Sequence, residues 1–196
     1  MAGAPRGVLV AAAGLTQRAL VLVYLALPIP RWTEYDAHYF PSLDVPFHRV
    51  SEPKRYRDSA DDPRDVTVLC AEIPCDLGDA TWCATTQELG DLVATSLERE
   101  GLPSAAPVHV EARRVPNAYP VYDLGYAARF AALDAWAASR PRLLTLGRQG
   151  LFAHDNTHHA LAMAWAATDA LRDDGSFDES LWAAARRDFA DHVVED

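Results

Sequence analysis

Apolar runs separated by prolines and polar turns predict the strands of this chain. Residues 19–27 contain Leu20-Val21-Leu22-Val23-Tyr24-Leu25, a continuous run that is typical of a central strand covered on both faces. A short helix over residues 5–15 is expected to precede it. Further strands are predicted at residues 37–40, 47–51, 66–73 and 108–115.

Helical periodicity and capping signals predict the remaining elements. Residues 79–100 carry Leu89, Leu92, Val93 and Leu97 at helical spacing, as in an amphipathic helix lying over a sheet. Further helices are predicted at residues 123–138 and 157–171. A capping box, Ser176-Phe177-Asp178-Glu179, is expected to open the last helix. Between these, residues 143–146 are expected to form a short strand that ends at Gly147.

The order of these elements predicts an α+β protein whose character changes near Pro116. Residues 1–115 are expected to form an antiparallel sheet with helices. Residues 116–175 form a second lobe, and residues 176–196 a C-terminal helix. A lone strand at 143–146 needs neighbouring strands, which this sequence does not supply.

Composition and charge exclude several classes of protein. The 196 residues are 49% hydrophobic and 23% charged, as in a globular protein. A net charge of −10 disfavours nucleic acid and anionic membranes as partners. The apolar stretch at residues 8–30 is interrupted by Thr16-Gln17-Arg18, so no membrane span is predicted. Cys70, Cys75 and Cys83 fit no zinc or redox spacing and are expected to be reduced thiols of a cytoplasmic protein.

Residues 143–171 carry the most specific chemical signal. Gly147 lets another backbone or a ligand ring approach closely at the end of the predicted strand. Asn156 and Thr157 are natural N-caps, and the helix that they open presents free N–H groups to an electron-rich partner. The combination suits the edge of a bulky anionic cofactor. However, no Gly-x-Gly-x-x-Gly loop lies upstream to hold the rest of it.

Together with Tyr119-Pro120-Val121-Tyr122-Asp123-Leu124-Gly125-Tyr126, this segment resembles the C-terminal half of FAD-dependent amine-oxidase-like enzymes. The nearest branches are the protoporphyrinogen-oxidase-like and UDP-galactopyranose-mutase-like enzymes. In that family a Pro-x-Tyr-x-x-Gly-His/Tyr segment precedes a helix. A strand ending in Gly-Asp, Gly-Asn or Gly-Arg then leads to a helix whose N-terminus faces the flavin pyrimidine. The resemblance is specific from about Val115 to Leu171.

The resemblance implies a function for each lobe. Residues 1–115 would be the antiparallel substrate-binding domain, and residues 116–175 the C-terminal strand-helix part of a Rossmann-type FAD-binding domain. The implied cofactor-binding residues are Gly147, Arg148, Asn156, Thr157 and His158. A small-molecule substrate would be bound by Tyr39, Arg49, Tyr119 and Tyr122. No catalytic residue is indicated.

The resemblance also implies an incomplete enzyme. The family's N-terminal dinucleotide-binding unit would precede Met1. The FAD-binding site is therefore expected to be completed by a missing N-terminal segment or by a separate partner polypeptide. The isolated chain is then expected to be inactive. Within the whole enzyme, a hydride would pass from a substrate C–H bond to flavin N5.

Two alternatives remain open. Gly147-Arg148 is also the pattern of the flavin-dependent sugar mutases, which are isomerases. In that case a second arginine would face the substrate diphosphate, with Arg49, Arg113 and Arg114 as the candidates. However, His154-Asp155-Asn156-Thr157-His158-His159 stands where the mutases have aromatic residues and Met-Asp, so their substrate-contacting tyrosine is unmatched. The other alternative is a non-catalytic partner lobe of a split flavoprotein.

A metal site is not expected from the sequence. His154 and His158 are four residues apart, a spacing that can place two ligands on one helical face. The residues between them are typical of a loop that leads into a helix, and no third ligand has a motif.

Overall fold

The computed structural model describes residues 3–57 and 59–192. These residues form an antiparallel sheet and seven α-helices, which confirms the predicted α+β class. They divide into two compact units. The sheet unit is Arg18–Ala118, and the helical unit contains the described residues within Met1–Gln17 and Tyr119–Asp196. The functional lobes expected at residues 1–115, 116–175 and 176–196 stay predictions.

The five strands are β1 (Gln17–Leu27), β2 (Ala37–Tyr39), β3 (Arg49–Ser51), β4 (Thr67–Cys75) and β5 (His109–Pro120). The helices are α1 (Arg6–Ala13), α2 (Ala80–Cys83), α3 (Thr86–Arg99), α4 (Tyr126–Ala138), α5 (Gly147–Leu151), α6 (Thr157–Ala170) and α7 (Glu179–Ala190). A 3₁₀ turn spans Pro53–Tyr56. The strand order in the sheet is β2-β3-β4-β1-β5.

One face of the sheet forms the core of the sheet unit. β1 and β4 are antiparallel, with Val21 opposite Ile73 and Leu25 opposite Leu69. Because side chains alternate along a strand, this register places a continuous apolar surface on one side. Helix α3 covers that surface with three fully buried side chains, Leu89, Val93 and Leu97.

The predicted helix over residues 79–100 is two helices. Asp79 caps α2 by accepting the Trp82 N–H at 2.7 Å. Thr85 then opens α3 through a reciprocal capping box: its hydroxyl accepts the Glu88 N–H, and the Glu88 carboxylate accepts the Thr85 N–H. Each cap satisfies backbone donors that a helix start leaves without partners, so the chain restarts its helix at Thr85.

The helical unit departs from the sequence prediction at two points. Residues 143–146 form no strand: Leu146 has extended dihedral angles (φ −149°, ψ 167°), but the segment pairs with no strand among the described residues. The chain enters α5 directly at Gly147. The last helix is capped by Asp178, whose carboxylate accepts the Leu181 N–H at 3.0 Å, rather than by Ser176. In contrast, α6 begins at Thr157, where the sequence predicts it.

Two features with a bearing on environment follow from the structure. Cys70 and Cys75 are buried and Cys83 is exposed, and all three are free thiols. Of the helices in residues 3–57 and 59–192, none combines the length and the apolar character needed to cross a bilayer.

The packing of α3 on β5 makes a stability prediction. A Cβ added to Gly90 would lie 2.9 Å from both Cγ atoms of Val110, a stiff side chain that cannot move far. Gly90→Ala should therefore lower the free energy of unfolding by about 1–3 kcal/mol, as overpacking does. Urea denaturation measures the change.

The matched control is Gly7→Ala in α1, where an added Cβ meets nothing within 4 Å. This change should raise stability by about 0.5–1 kcal/mol, which is the ordinary helical preference for alanine. An equal gain from Gly90→Ala would show that α3 does not approach β5 as described.

Candidate functional site

The sheet face opposite the core carries a row of polar side chains. Tyr39 of β2 lies opposite Arg49 of β3, and Arg49 lies opposite Glu72 of β4. Residues directly opposite each other lie on the same face, so the antiparallel register brings these three side chains together. Two of them, Tyr39 and Arg49, are predicted substrate-binding residues.

Glu72 is the electrostatic centre of this row. Its side chain is only 8% exposed and contacts two cationic or potentially cationic groups. Arg49 Nε donates to Oε1 at 2.9 Å, and His48 Nε2 lies 3.0 Å from Oε2. Burial by itself raises the pKa of the Glu72 carboxyl, but the hydrogen bonds from His48 and Arg49 outweigh burial and lower the pKa. The carboxylate is therefore held ionised.

The same contacts fix the charge of Arg49. Burial lowers the pKa of its guanidinium, whereas hydrogen bonds to Glu72 and Tyr39 raise it, and the net pKa is above its ordinary value. Arg49 is thus oriented by Glu72 and Tyr39 rather than freely extended. The carboxylate offsets its charge, so this row presents a directed donor to a ligand and little net positive charge.

A second cluster occupies the same face toward β5. Tyr24 of β1 lies opposite Cys70 of β4. An open cavity of about 370 Å³ adjoins Tyr24 and is lined also by His109, Glu111 and Arg113. Burial raises the pKa of the Cys70 thiol to about 11. Cys70 is therefore protonated at neutral pH and is not a ready nucleophile.

In the helical unit, Arg148 lies in the first turn of α5, and its contacts include a backbone carbonyl and an aromatic ring. Its guanidinium donates to the Asp155 backbone carbonyl, with Nη2 at 2.6 Å and Nε at 3.2 Å. The same group lies 4.6 Å above the ring of Tyr119. The structure thus brings together Arg148, a predicted cofactor residue, and Tyr119, a predicted substrate residue. Their cation–π contact and the carbonyl bond fix the loop that enters α6.

The α6 N-terminus contains the other predicted cofactor residues. Asn156 is the N-cap, and its backbone N–H donates to His159 Nδ1 at 3.2 Å. Thr157 and His158 are exposed on the first turn. Gly147, at the start of α5, has φ +72° and open space where a Cβ would lie. Its backbone requires the left-handed conformation that glycine adopts readily, and the open space admits a close approach.

An aromatic cluster surrounds the last predicted substrate residue, Tyr122. Its ring stacks on Tyr126 at 4.4 Å, and its hydroxyl accepts the His154 N–H at 3.0 Å. Burial raises the pKa of Tyr122, with the His154 bond acting in the opposite direction. Phe152 packs against both tyrosines while holding a left-handed backbone (φ 51°), which is strained for a bulky residue. Tight packing holds this turn between α5 and α6.

No protein-family model and no curated protein sequence matches this chain. Among solved structures, the chain is similar to a reduced UDP-galactopyranose mutase, with a TM-score of 0.68, 15% identity, and coverage of 90% of this chain and 38% of that chain. It is also similar to a protein from Exiguobacterium sp. 255-15 assigned as a protoporphyrinogen oxidase. There the TM-score is 0.57, the identity 16%, and the coverage 92% of this chain and 36% of that chain.

The chain shares the fold of part of these flavoproteins. This confirms the resemblance to the amine-oxidase-like group at the level of fold. The chain spans less than two fifths of the length of either matched structure. The roles of individual residues in this flavoprotein fold stay predictions.

Sequence reasoning did not connect the members of two groups of residues. Glu72 lies within an apolar run, and its partners His48 and Arg49 become visible only through strand register. The second group is Asp155, His159 and His192 in the helical unit. The spacing of Asp155 and His159 at i and i+4 was a usable signal, but no sequence feature connects them with His192.

The Glu72 contacts predict a pH-dependent stability. Because the folded pKa is lowered, the stability from Glu72 is present above its unfolded pKa of about 4.3 and is lost as pH falls through the folded value. Glu72→Gln should cost about 1–3 kcal/mol at pH 7, discounted for the partly exposed partners. The unaltered chain and the variant should converge in acid, as urea denaturation against pH would show.

The control is Glu111→Gln. Glu111 pairs with Arg113 at the surface, where both side chains are substantially exposed. This change should cost under about 1 kcal/mol. A Glu72→Gln loss that is constant across pH would mean that packing, and not the charge, accounts for the effect.

Proposed function

We propose that this chain is the substrate-binding and C-terminal flavin-contacting part of an FAD-dependent oxidoreductase of the amine-oxidase/protoporphyrinogen-oxidase-like group. The observation that carries the proposal is the α5–α6 junction. There Arg148 is held on the carbonyl of Asp155, directly before the N-cap of the 14-residue helix α6. The fold shared with part of the matched flavoproteins supports the proposal.

At this junction the chain would bind the flavin end of the cofactor. The N-terminal N–H groups of α6 favour negative charge nearby. Thr157 and His158 are exposed on that turn, and His158 could donate a hydrogen bond. Gly147 leaves room for a ring edge. Arg148 presents a rigid guanidinium suited to a ribityl or phosphate oxygen. When bound, FAD would supply the hydride-accepting ring.

In the sheet unit, the Tyr39–Arg49–Glu72 row would bind the small-molecule substrate. Glu72 orients the Arg49 guanidinium, and Tyr39 adds a hydroxyl on the same face. Because these donors are already fixed, substrate orientation costs little further ordering. The rest of the FAD would be bound by a polypeptide segment with a Gly-x-Gly-x-x-Gly unit, outside these residues. We place the protein in the cytoplasm, because its three free thiols suit a reducing compartment.

A flavin-dependent sugar mutase is the second candidate function. Its support is Gly147-Arg148 and the better fit of the mutase fold, with a TM-score of 0.68 against 0.57. The three candidates for the second arginine have different surroundings. Arg114 donates to the carbonyls of Trp82 and Ala84, whereas Arg113 lines the open cavity beside Tyr24 and Arg49 lies opposite Glu72. A non-catalytic lobe of a split flavoprotein is the third candidate.

Flavin content tests the proposal directly. The 196-residue chain purified alone should carry no FAD, because the group that holds the ADP half is absent from it. Supplied with a polypeptide that carries a Gly-x-Gly-x-x-Gly dinucleotide-binding unit, the chain should form a yellow complex. Anaerobic bleaching of that flavin by substrate indicates an oxidoreductase, whereas sugar isomerisation without net oxidation indicates a mutase. Stoichiometric FAD on the chain alone would refute the proposal that a separate segment binds the ADP half. A colourless complex would refute flavin binding.

Arg148 provides the sharpest mutational test. In the complemented enzyme, Arg148→Ala should remove a charge-assisted hydrogen bond of about 1.5–3 kcal/mol, which weakens FAD binding by roughly 10- to 100-fold. Arg148→Lys should restore only part, because an ammonium keeps the charge but not the planar fork. Flavin absorbance per polypeptide, measured against added FAD, gives the affinity.

The structural contacts of Arg148 require a matched control. Arg140→Ala removes another guanidinium that lies over an aromatic ring, that of Trp136 at 5.6 Å, and should leave FAD affinity unchanged. Urea denaturation separates lost folding from lost binding. If both Arg148 variants retain full flavin content, the residue has a structural role and does not bind FAD.

A further inference from the structure

Asp155, His159 and His192 form a compact cluster in the helical unit. One ligating atom from each lies within 4.8 Å of the others. Asp155 Oδ1 is 3.8 Å from Nδ1 of His159 and 3.8 Å from Nδ1 of His192. Asp155 immediately precedes the N-cap of α6, His159 lies on the first turn, and His192 follows α7. The fold thus brings together the two ends of a 38-residue stretch of sequence.

We propose that this cluster binds a divalent transition-metal ion, with Zn²⁺ as the best match. Two imidazole nitrogens and one carboxylate oxygen are a donor set that zinc accepts. Zinc–nitrogen and zinc–oxygen bonds are about 2.0–2.2 Å long, so ligand atoms around a tetrahedral ion lie about 3.3–3.6 Å apart. The observed 3.8 Å separations need only a small contraction.

The burial of Asp155 is a further observation that favours a cation at this cluster. The residue is 6% exposed, and its Oδ2 is buried without a hydrogen-bond partner among the described residues. A carboxylate withdrawn from water is costly unless a charge or hydrogen bonds compensate it. His192 Nδ1 is likewise buried without a hydrogen bond in the described part of the chain. A cation bound by the carboxylate would compensate its buried charge and would also coordinate the His192 Nδ1 lone pair.

The surroundings leave room for a fourth ligand. Asp155 and His192 border a cavity of about 350 Å³, which is large enough to hold water. Three protein ligands and an open position are the arrangement of a zinc site that keeps a water molecule. The nearby Arg186 also lines this cavity, but it is paired with Asp134 at 2.7 Å. Its charge is therefore partly offset.

Binding would require local rearrangement. The rings of His159 and His192 are stacked at 4.4 Å with an interplanar angle of 19°, so their lone pairs do not yet converge. His192 lies just beyond α7, where its side chain can rotate toward the ion. The Asn156 N–H bond to His159 Nδ1, 3.2 Å long, would give way to the metal bond. The free-energy cost of both changes is small compared with the free energy gained from the metal–ligand bonds.

This metal site differs from the pair His154 and His158, whose spacing in the sequence can place two ligands on one helical face. His154 Nε2 is 2.8 Å from the Pro120 carbonyl, and His158 is exposed. Neither belongs to the cluster. The proposed ion also needs no flavin, so the site can be tested apart from the proposed function.

Cobalt spectroscopy on the full chain tests the proposal. After treatment with a chelator, the 196-residue chain is titrated with Co²⁺, which gives intense visible bands in tetrahedral nitrogen–oxygen sites. We expect saturation at one ion per chain and loss of the bands on adding Zn²⁺. His192→Phe keeps a ring for the stack but removes the ligand, and Asp155→Asn keeps the shape and the carbonyl that binds Arg148. Each should weaken binding by at least about 100-fold, more than losing an outer-shell partner costs.

His109→Gln is the matched control, because it removes an exposed histidine from the sheet unit. It should leave the cobalt spectrum and affinity unchanged. Far-ultraviolet circular dichroism confirms that each variant is folded, and Zn²⁺ should raise the thermal midpoint only where the cluster is intact. The proposal would be overturned if the unaltered chain gave no tetrahedral bands. It would also be overturned if His192→Phe and Asp155→Asn bound Co²⁺ as tightly as the unaltered chain.

Discussion

The one-sided burial of the sheet under α3 is the constraint on which the rest of the sheet unit depends. Leu89, Val93 and Leu97 cover alternate residues of β1 and β4, which fixes the face that each strand turns inward. The remaining side chains must then lie on the opposite face. The register that builds the core therefore also aligns Arg49 with Glu72, and a slip of one residue would send both into the core.

The sequence predicts the elements of the fold where a single segment contains the whole signal. The apolar run in β1 and the N-cap residues of α6 are local features, and both elements form where expected. The strand predicted at residues 143–146 does not form, because a strand also depends on a second segment of the chain. A strand is defined by hydrogen bonds to a neighbouring strand, and the described helical unit offers none to this segment. Apolar and extended residues alone do not make a strand.

The candidate sites were less predictable, because their contacts join remote residues or involve the backbone. Arg148 stands out in the sequence through its glycine and the following helix, yet the group that orients it is the backbone carbonyl of Asp155. No residue type at position 155 could have revealed that bond. The role of Glu72 likewise becomes apparent only from the strand register, which places Arg49 opposite it. Tyr39 and Arg49 could be nominated from resemblance, but not the carboxylate that orders them.

Three buried carboxylates show how differently this acidic chain stabilises such groups. Glu72 is compensated by Arg49 and His48, so its charge is fixed. Glu52 is deeply buried but accepts hydrogen bonds from the Thr67 hydroxyl and the Trp32 N–H. Both donors are neutral, and neither is a group that commonly binds a metal ion. Asp155 has two imidazoles at 3.8 Å and a cavity beside it. A carboxylate oxygen without an assigned hydrogen bond occurs in all three residues, with His48 Nε2 lying 3.0 Å from that of Glu72, so such an oxygen cannot by itself indicate a metal. The convergence of two further ligands on Asp155 makes the difference.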